Sequence, residues 1–493
     1  MNSGVPWPSP TPAQERVLGI QRKLHKWSTD DQDRRFQDLH NLVCDRATLM
    51  VAWLRVRANR GSRSAGVDGQ TARYIEQVLG VERFLEALRE ELRTGTYRPL
   101  PVKERLIAKR GGANKFRRLG VPALRDRVAQ AALKLVLEPI FEADFQPCSY
   151  GFRPGRRCQD AIAEIHWLTT SPRNYEWIVE ADVKACFDEL SHSAILDRVR
   201  RRIRDKRVLA LIKAFLKAGI MTEQGRLTGT VTGTPQGGIL SPLMANVALN
   251  VLDEHFARAW EAFGGQHGRS KRRRRGEANY RIVRYADDFV IAVAGERRHA
   301  EALIAETEQV LAPLGLTLSR EKTSITHIDE GIEFLGWKIK RQPGRNGRPQ
   351  IYTYPTKRSL QAVTGKVKQI CRNGYNQTLD QLLHRLNPVL RGWCAYFRHG
   401  VSSRTFNYLR AYTWRRVIIW LRHKHHGRNW RWLRRRYLPG WWPTAETVGL
   451  YNPGGVKITR YRYRGAKIPT PWEQPEYEQL SFDLERLEAL IAR

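Results

Sequence analysis

Residues 282–293 alternate or run apolar around one acidic interruption, Ala286-Asp287-Asp288. Such a pattern fits a β-hairpin with the acidic pair at its tip. Upstream, Trp177-Ile178-Val179-Glu180-Ala181-Asp182-Val183 reads as a strand that turns into a loop or short helix at Lys184. Asp182 and Asp287 lie 105 positions apart in the chain, which is no obstacle, since separate strands of one sheet meet in space. A strand ending in Asp182 beside a hairpin carrying Asp287 and Asp288 would bring three carboxylates together on rigid backbone.

Carboxylates so gathered are what magnesium needs, because Mg²⁺ takes hard oxygen ligands. Joining a nucleotide to a growing strand is an in-line attack of a 3′-hydroxyl on an α-phosphate. The charge built up there is met by two Mg²⁺ ions about 3.5–4 Å apart. Each motif alone is bland: an Asp-Asp pair at a β-turn is usually just solvated. The order is what discriminates. Asp182-Val183-Lys184-Ala185-Cys186-Phe187-Asp188 is followed by Gly233-Thr234-Pro235-Gln236-Gly237-Gly238-Ile239-Leu240-Ser241-Pro242, then by Tyr285-Ala286-Asp287-Asp288.

Charge narrows the partner. Lys and Arg number 85 against 49 acidic residues, a net charge of +36. Self-repulsion on that scale points to a bound polyanion, above all nucleic acid. A basic membrane-surface protein is the rival, but no long amphipathic Lys-rich helix supports it, and no apolar run approaches the ~18 residues of a membrane span. The N-terminus has no charged and then apolar leader, so a cytoplasmic location, a bacterial cytosol or nucleoid, is the default expectation. The six cysteines form no Cys-x-x-Cys pair, which argues for buried free thiols over a zinc site or disulfide framework.

The first 32 residues, with Pro6, Pro8, Pro10 and Pro12, read as a flexible lead-in. Residues 33–95 read as a helical extension. They contain the glycine-rich basic loop at 59–69 with Arg63, a phosphate-contacting loop or a plain connector. Residues 124–138 predict a helix ended by Pro139. Strands and helices alternating over 96–340 make an α+β domain. Within it, residues 264–276 look like an inserted, mobile basic loop carrying Arg272 and Arg273. Helical periodicity returns over 355–437, and a basic tail follows over 438–493.

The ordered motifs resemble those of group II intron reverse transcriptases and maturases. The resemblance covers roughly residues 35–470 and includes Gly66-Val67-Asp68-Gly69, Leu119-Gly120-Val121-Pro122, Ser149-Tyr150-Gly151-Phe152-Arg153-Pro154-Gly155-Arg156, Phe334-Leu335-Gly336-Trp337 and Gly392-Trp393-Cys394-Ala395-Tyr396-Phe397. It implies a right-hand polymerase, with fingers and a palm built on an antiparallel sheet, followed by an α-helical thumb or maturase domain. It implies two Mg²⁺ ions on Asp182, Asp287 and Asp288, with the Val183 carbonyl as a further ligand, and dNTP substrates. By the same resemblance, Phe187 blocks a ribose 2′-hydroxyl and Gln236 packs near the incoming nucleotide. Lys109 and Arg117 grip its triphosphate, with Arg110 and Arg118 as alternatives, and Lys322 protonates the leaving pyrophosphate.

Over 357–437 basic and aromatic residues interleave, as phosphate neutralisation and base stacking would require, although most of the aromatics also suit a core. Arg428, Arg431, Arg434 and Arg435 fall at helical spacing, and with Arg63, Arg153, Arg156, Arg272, Arg273 and Arg391 they are the candidate nucleic-acid contacts. The resemblance makes the partners a group II intron RNA, a target DNA and a primer, and the activity splicing support plus copying of the intron into DNA. Nothing after Tyr437 contains a cysteine, so no cysteine-paired endonuclease is expected, and the tail is a candidate DNA-binding segment. A splicing-only maturase and a defence-associated reverse transcriptase without its own intron are the competing readings.

Overall fold

The computed structural model describes residues 6–473 except 109–115, 223, 231, 235–236, 345, 373, 375, 447 and 466–467. The side chains of Ala108 and Arg117 also lie outside the described set.

The N-terminal lead-in corrects the sequence reading: Pro10–Asp30 is a helix with Ala13, Val17 and Leu24 buried. Proline is well placed in a first turn, where its missing N–H has no partner to lose. This helix also explains a second correction. The helix expected to stop at Pro139 runs on as Leu124–Glu142. Proline removes the amide that would bond the Leu135 carbonyl. Gln21 Nε2 donates to that carbonyl at 2.8 Å instead, and His25 Nδ1 lies 3.0 Å from the Pro139 oxygen.

Eleven strands are present among the described residues: β1 (Val102–Ala108), β2 (Phe116–Val121), β3 (Trp177–Asp182), β4 (Ile220–Met221), β5 (Leu227–Thr228), β6 (Asn279–Tyr285), β7 (Asp288–Ala294), β8 (Ser324–His327), β9 (Ile332–Phe334), β10 (Trp337–Pro343) and β11 (Pro349–Pro355). They form three sheets, ordered β2-β1-β4-β5, β6-β7-β3-β8 and β11-β10-β9. The second is antiparallel throughout. Its side chains alternate between two cores, as a period of two requires. Phe289, Ile291 and Val293 enter one core with Val179 and Ala181; Val290, Ala292 and Ala294 enter the other with Ile178 and Val283. Burial on both faces is why β7 reads as a continuous apolar run.

The basic stretch at 264–276 is not a loop. Gln266–Arg274 is a helix, and Arg269 and Arg272 lie over the Trp260 and Phe263 rings at 3.7 and 4.4 Å. Helices Lys357–Arg372, Leu379–Phe397, Ser403–Lys424 and Trp430–Tyr437 follow β11 and pack into the second core. The described part of the tail then runs back over the protein. Thr459 N bonds the Arg398 carbonyl at 3.0 Å, Arg464 Nη2 grips Asp160 at 2.7 Å, and the Trp472 ring packs 5.2 Å from His25. As far as residue 473, then, the expected DNA-binding tail lies along the protein itself, with Arg464 committed to a carboxylate. All six cysteines are free, and all but the half-buried Cys158 are buried.

Candidate active site

β3 and β7 pair so that Asp182 stands directly opposite Asp288. Opposed residues of a ladder share a face, so both carboxylates project the same way. β6 and β7 form the expected hairpin, with Tyr285 opposite Asp288 and Ala286-Asp287 as its two-residue turn. Ala286 holds φ +60°, a left-handed conformation that an alanine adopts only when its surroundings impose it.

Those surroundings centre on Arg284, Asn246 and Asp253, to which the sequence reading gave no role, together with Ser149 and Gly151 of a quoted motif. Arg284 Nη1 donates to the Ala286 carbonyl at 2.8 Å and to Asn246 Oδ1 at 3.0 Å, and its Nη2 donates to Ser149 Oγ at 2.8 Å. Its Nε donates to Asp253 Oδ1 at 2.7 Å, and both partners of this ion pair have side chains with 0% exposure. From the other side Gly151 presses on the turn: a Cβ there would meet Ala286 N at 2.4 Å. Asn246 Nδ2 anchors the Gly151 carbonyl at 2.8 Å. Two signals could have found this brace: a lone charge, Arg284, inside an apolar strand, and Asn246, Asn250 and Asp253 at helical spacing within Ser241–Ala262.

Electrostatics at the turn are strained. Enclosure by protein, then the negative charges of Asp287 and Asp182, push the Asp288 carboxyl up to about 7. Solvent reaches Asp288, so charge crowding is the firmer cause. Lys322 acts the other way, and its ammonium is bonded to Asp182. Among the described residues no three His, Cys, Asp or Glu side chains are gathered tightly enough to hold a metal as they stand. Two paired carboxylates, a third one residue away and a strong excess of negative charge nonetheless fit hard divalent cations. Val183 is buried in a short bridge to Leu318, and Ser319 N bonds the Asp182 carbonyl at 2.9 Å, which ties the Lys322 segment to this strand.

Phe187 is half-buried in the short helix Cys186–Glu189. Thr234 N donates to its carbonyl at 2.6 Å, and Gly233, at φ +83°, leaves only 2.6 Å between a Cβ and that same oxygen. The motif with Gln236 is thereby docked beside Phe187, although Gln236 and Lys109 themselves lie outside the described residues. Arg117 pairs through its backbone with Ile107 in β1.

The arginine candidates divide. Arg153 is 6% exposed and donates to Glu142 at 2.7 Å and to the Gln146 and Ser149 carbonyls at 2.7 and 2.8 Å. Arg156 lies over the Tyr150 ring and donates to the Pro147 carbonyl at 3.0 Å. Both are internal supports, a correction caused by the buried Glu142 carboxylate. Arg272 pairs with Glu277 at 2.6 Å and Arg273 donates to the Arg173 carbonyl at 2.7 Å, so these two half-buried side chains also hold protein. Arg63, Arg391, Arg428, Arg431, Arg434 and Arg435 are exposed. Arg391, Arg428 and Arg434 lean on the Tyr451, Trp432 and Trp441 rings.

Comparison with known proteins agrees with this geometry. Residues 107–339 match the reverse transcriptase (RNA-dependent DNA polymerase) family and residues 360–438 match the group II intron, maturase-specific domain. The chain is 35% identical over 376 residues to protein YkfC of Escherichia coli K12, covering 71% of this chain and 97% of that one. It is 30% identical over 419 residues to the group II intron-encoded protein LtrA of Lactococcus lactis, covering 76% of this chain and 66% of LtrA. The chain belongs to the reverse transcriptase family, in the branch that carries a group II intron maturase domain.

Proposed function

We propose that this protein copies RNA into DNA by a two-metal mechanism and acts as a ribonucleoprotein with a group II intron RNA, supporting its splicing and its insertion into target DNA. The observation that carries the polymerase reading is the register opposing Asp182 to Asp288 beside a braced Ala286-Asp287 turn. In this reading β1, β2, β4 and β5 belong to the fingers (within 96–340), the sheet β6-β7-β3-β8 is the palm, and 355–437 is the thumb. Residues 33–95 extend the fingers.

Asp182, Asp287, Asp288 and the Val183 carbonyl would hold two Mg²⁺ ions. Bound there, such ions lower the pKa of the attacking 3′-hydroxyl and offset charge on the transferring phosphoryl group. The chain's own groups do the rest. The Arg284 clamp keeps the turn from shifting under the repulsion of its carboxylates. Lys322, bonded to Asp182 in the structure, would donate a proton to the leaving pyrophosphate. Lys109 and Arg117 bind the triphosphate of the dNTP, Gln236 packs on it, and Phe187 excludes a 2′-hydroxyl. The exposed Arg428, Arg431, Arg434 and Arg435, with Arg63 and Arg391, track the intron RNA, and the primer end lies over the acidic turn. The setting is the cytoplasm; no described helix is long and apolar enough to cross a membrane.

Primer extension on an RNA template tests the site. D287A with D288A should abolish synthesis while RNA affinity stays nearly intact. Substantial Mg²⁺-dependent synthesis by that variant would reject it.

A further inference from the structure

One aromatic side chain near the acidic turn stands largely in solvent. Phe152 is 55% exposed, although both of its neighbours are locked. Gly151 is wedged against Ala286 and bonded to Asn246, and Arg153 is buried on Glu142. Two residues before it, Tyr150 N bonds the Arg284 carbonyl at 2.9 Å. Phe152 itself holds φ +57°. For a bulky aromatic residue that backbone is strained, and a phenyl ring more than half in water recovers little of the strain by packing. A glycine or asparagine would relieve the strain if the position served the turn alone.

The ring stands at a cleft whose walls include Phe187, Pro242, Ala286 and Asp287. The cleft encloses essentially no free volume, and Phe152 is the most exposed of the side chains that line it. The neighbouring carboxylates repel a bare phosphate and would accept one only together with the divalent cations that they hold. The group covalently next to a nucleotide's α-phosphate is the sugar, whose carbon-bound face is apolar. An apolar face is what two phenyl rings bind.

We infer that Phe152 and Phe187 together line a two-ring cleft for the sugar of the incoming nucleotide, with Phe152 a further nucleotide-binding residue. The inference rests on the polymerase reading above and deepens it. The strained backbone aims the ring, and the Gly151 and Arg153 anchors tie that aim to the acidic turn. Because the contact is with the sugar, it is shared by all four bases.

Single-nucleotide primer extension on an RNA template tests it. F152A should raise KM for dNTP about tenfold, the scale of losing one aromatic contact. The rise should be the same for all four dNTPs, with kcat and template–primer affinity within about twofold of wild type. F152Y should restore the wild-type KM, and F152L, which keeps bulk without the flat ring, should fall between. A thermal melt shows that the variants fold. An unchanged KM, a loss confined to template–primer affinity, or an effect that varies with the base would each overturn the assignment. Absence of extension by the wild-type protein would instead remove the polymerase reading itself, and this inference with it.

Discussion

Arg153, Arg156 and Arg284 in the sheet-bearing part of the molecule, and Arg428, Arg431, Arg434 and Arg435 after it, are one side chain in two opposite uses. The first set is buried against Glu142, Asp253 and main-chain carbonyls. The second stands in water on or beside the helix Trp430–Tyr437. The difference is the company of a buried carboxylate. A guanidinium inside a protein needs an acidic partner and satisfied hydrogen bonds, and where the fold supplies them it becomes a brace. Where the fold offers only aromatic faces at the surface, the charge stays available to an outside polyanion.

The inward set should break hardest. R284M leaves Asp253 buried without its partner and the Ala286 carbonyl without its donor. The expected loss is about 3–5 kcal/mol of stability in chemical denaturation, with polymerase activity falling further than stability alone explains. A variant as stable as wild type would show that the pair is not a brace.

Asp126 sharpens the same point from the carboxylate side. It is 1% exposed and receives bonds from Tyr97 Oη at 2.5 Å and Leu100 N at 3.0 Å, with the nearest guanidinium, Arg125 Nε, 3.9 Å away. Burial pushes its carboxyl up to about 6, against the lowering effect of those bonds. A raised carboxyl favours the fold when protonated. Its contribution is therefore fully present below about pH 3.8 and is lost as pH rises through about 6. The loss amounts to roughly 3 kcal/mol at most, at 1.36 kcal/mol per unit. D126N should flatten the stability profile across that window, and an unaltered slope in pH-dependent denaturation would discount Asp126 as its source.

The outward set should move stability least. R431A, R434A and R435A together should change unfolding free energy by no more than about 0.5 kcal/mol per site. The slope of log affinity against log salt for RNA should fall by up to about 2–3 units. An unchanged salt slope would mean that these side chains do not meet the RNA backbone.

Much of the acidic centre was legible in the sequence. The strand ending at Asp182, the hairpin tip at Asp287-Asp288 and the order of the three motifs carry it, because a period of two and a polar break in an apolar run are local signals. Three readings failed for a common reason. The proline-rich start, the helix through Pro139 and the basic segment at 264–276 each depend on a partner distant in sequence: Gln21 for the Leu135 carbonyl, the second core's edge for Trp260, and Arg173 for Arg273. Lys, Gly and Arg spacing cannot show such partners.

Charge by itself pointed to a nucleic-acid partner, and the ordered motifs, by their resemblance to group II intron reverse transcriptases, to the family, since charge and carboxylate chemistry are written residue by residue. Only the tertiary structure decided which arginines face inward and what holds Ala286 in its left-handed turn. It also decided that Phe152 stands open beside the carboxylates. Burial is a property of the packed chain, and a buried charge takes its role from whatever the fold sets against it.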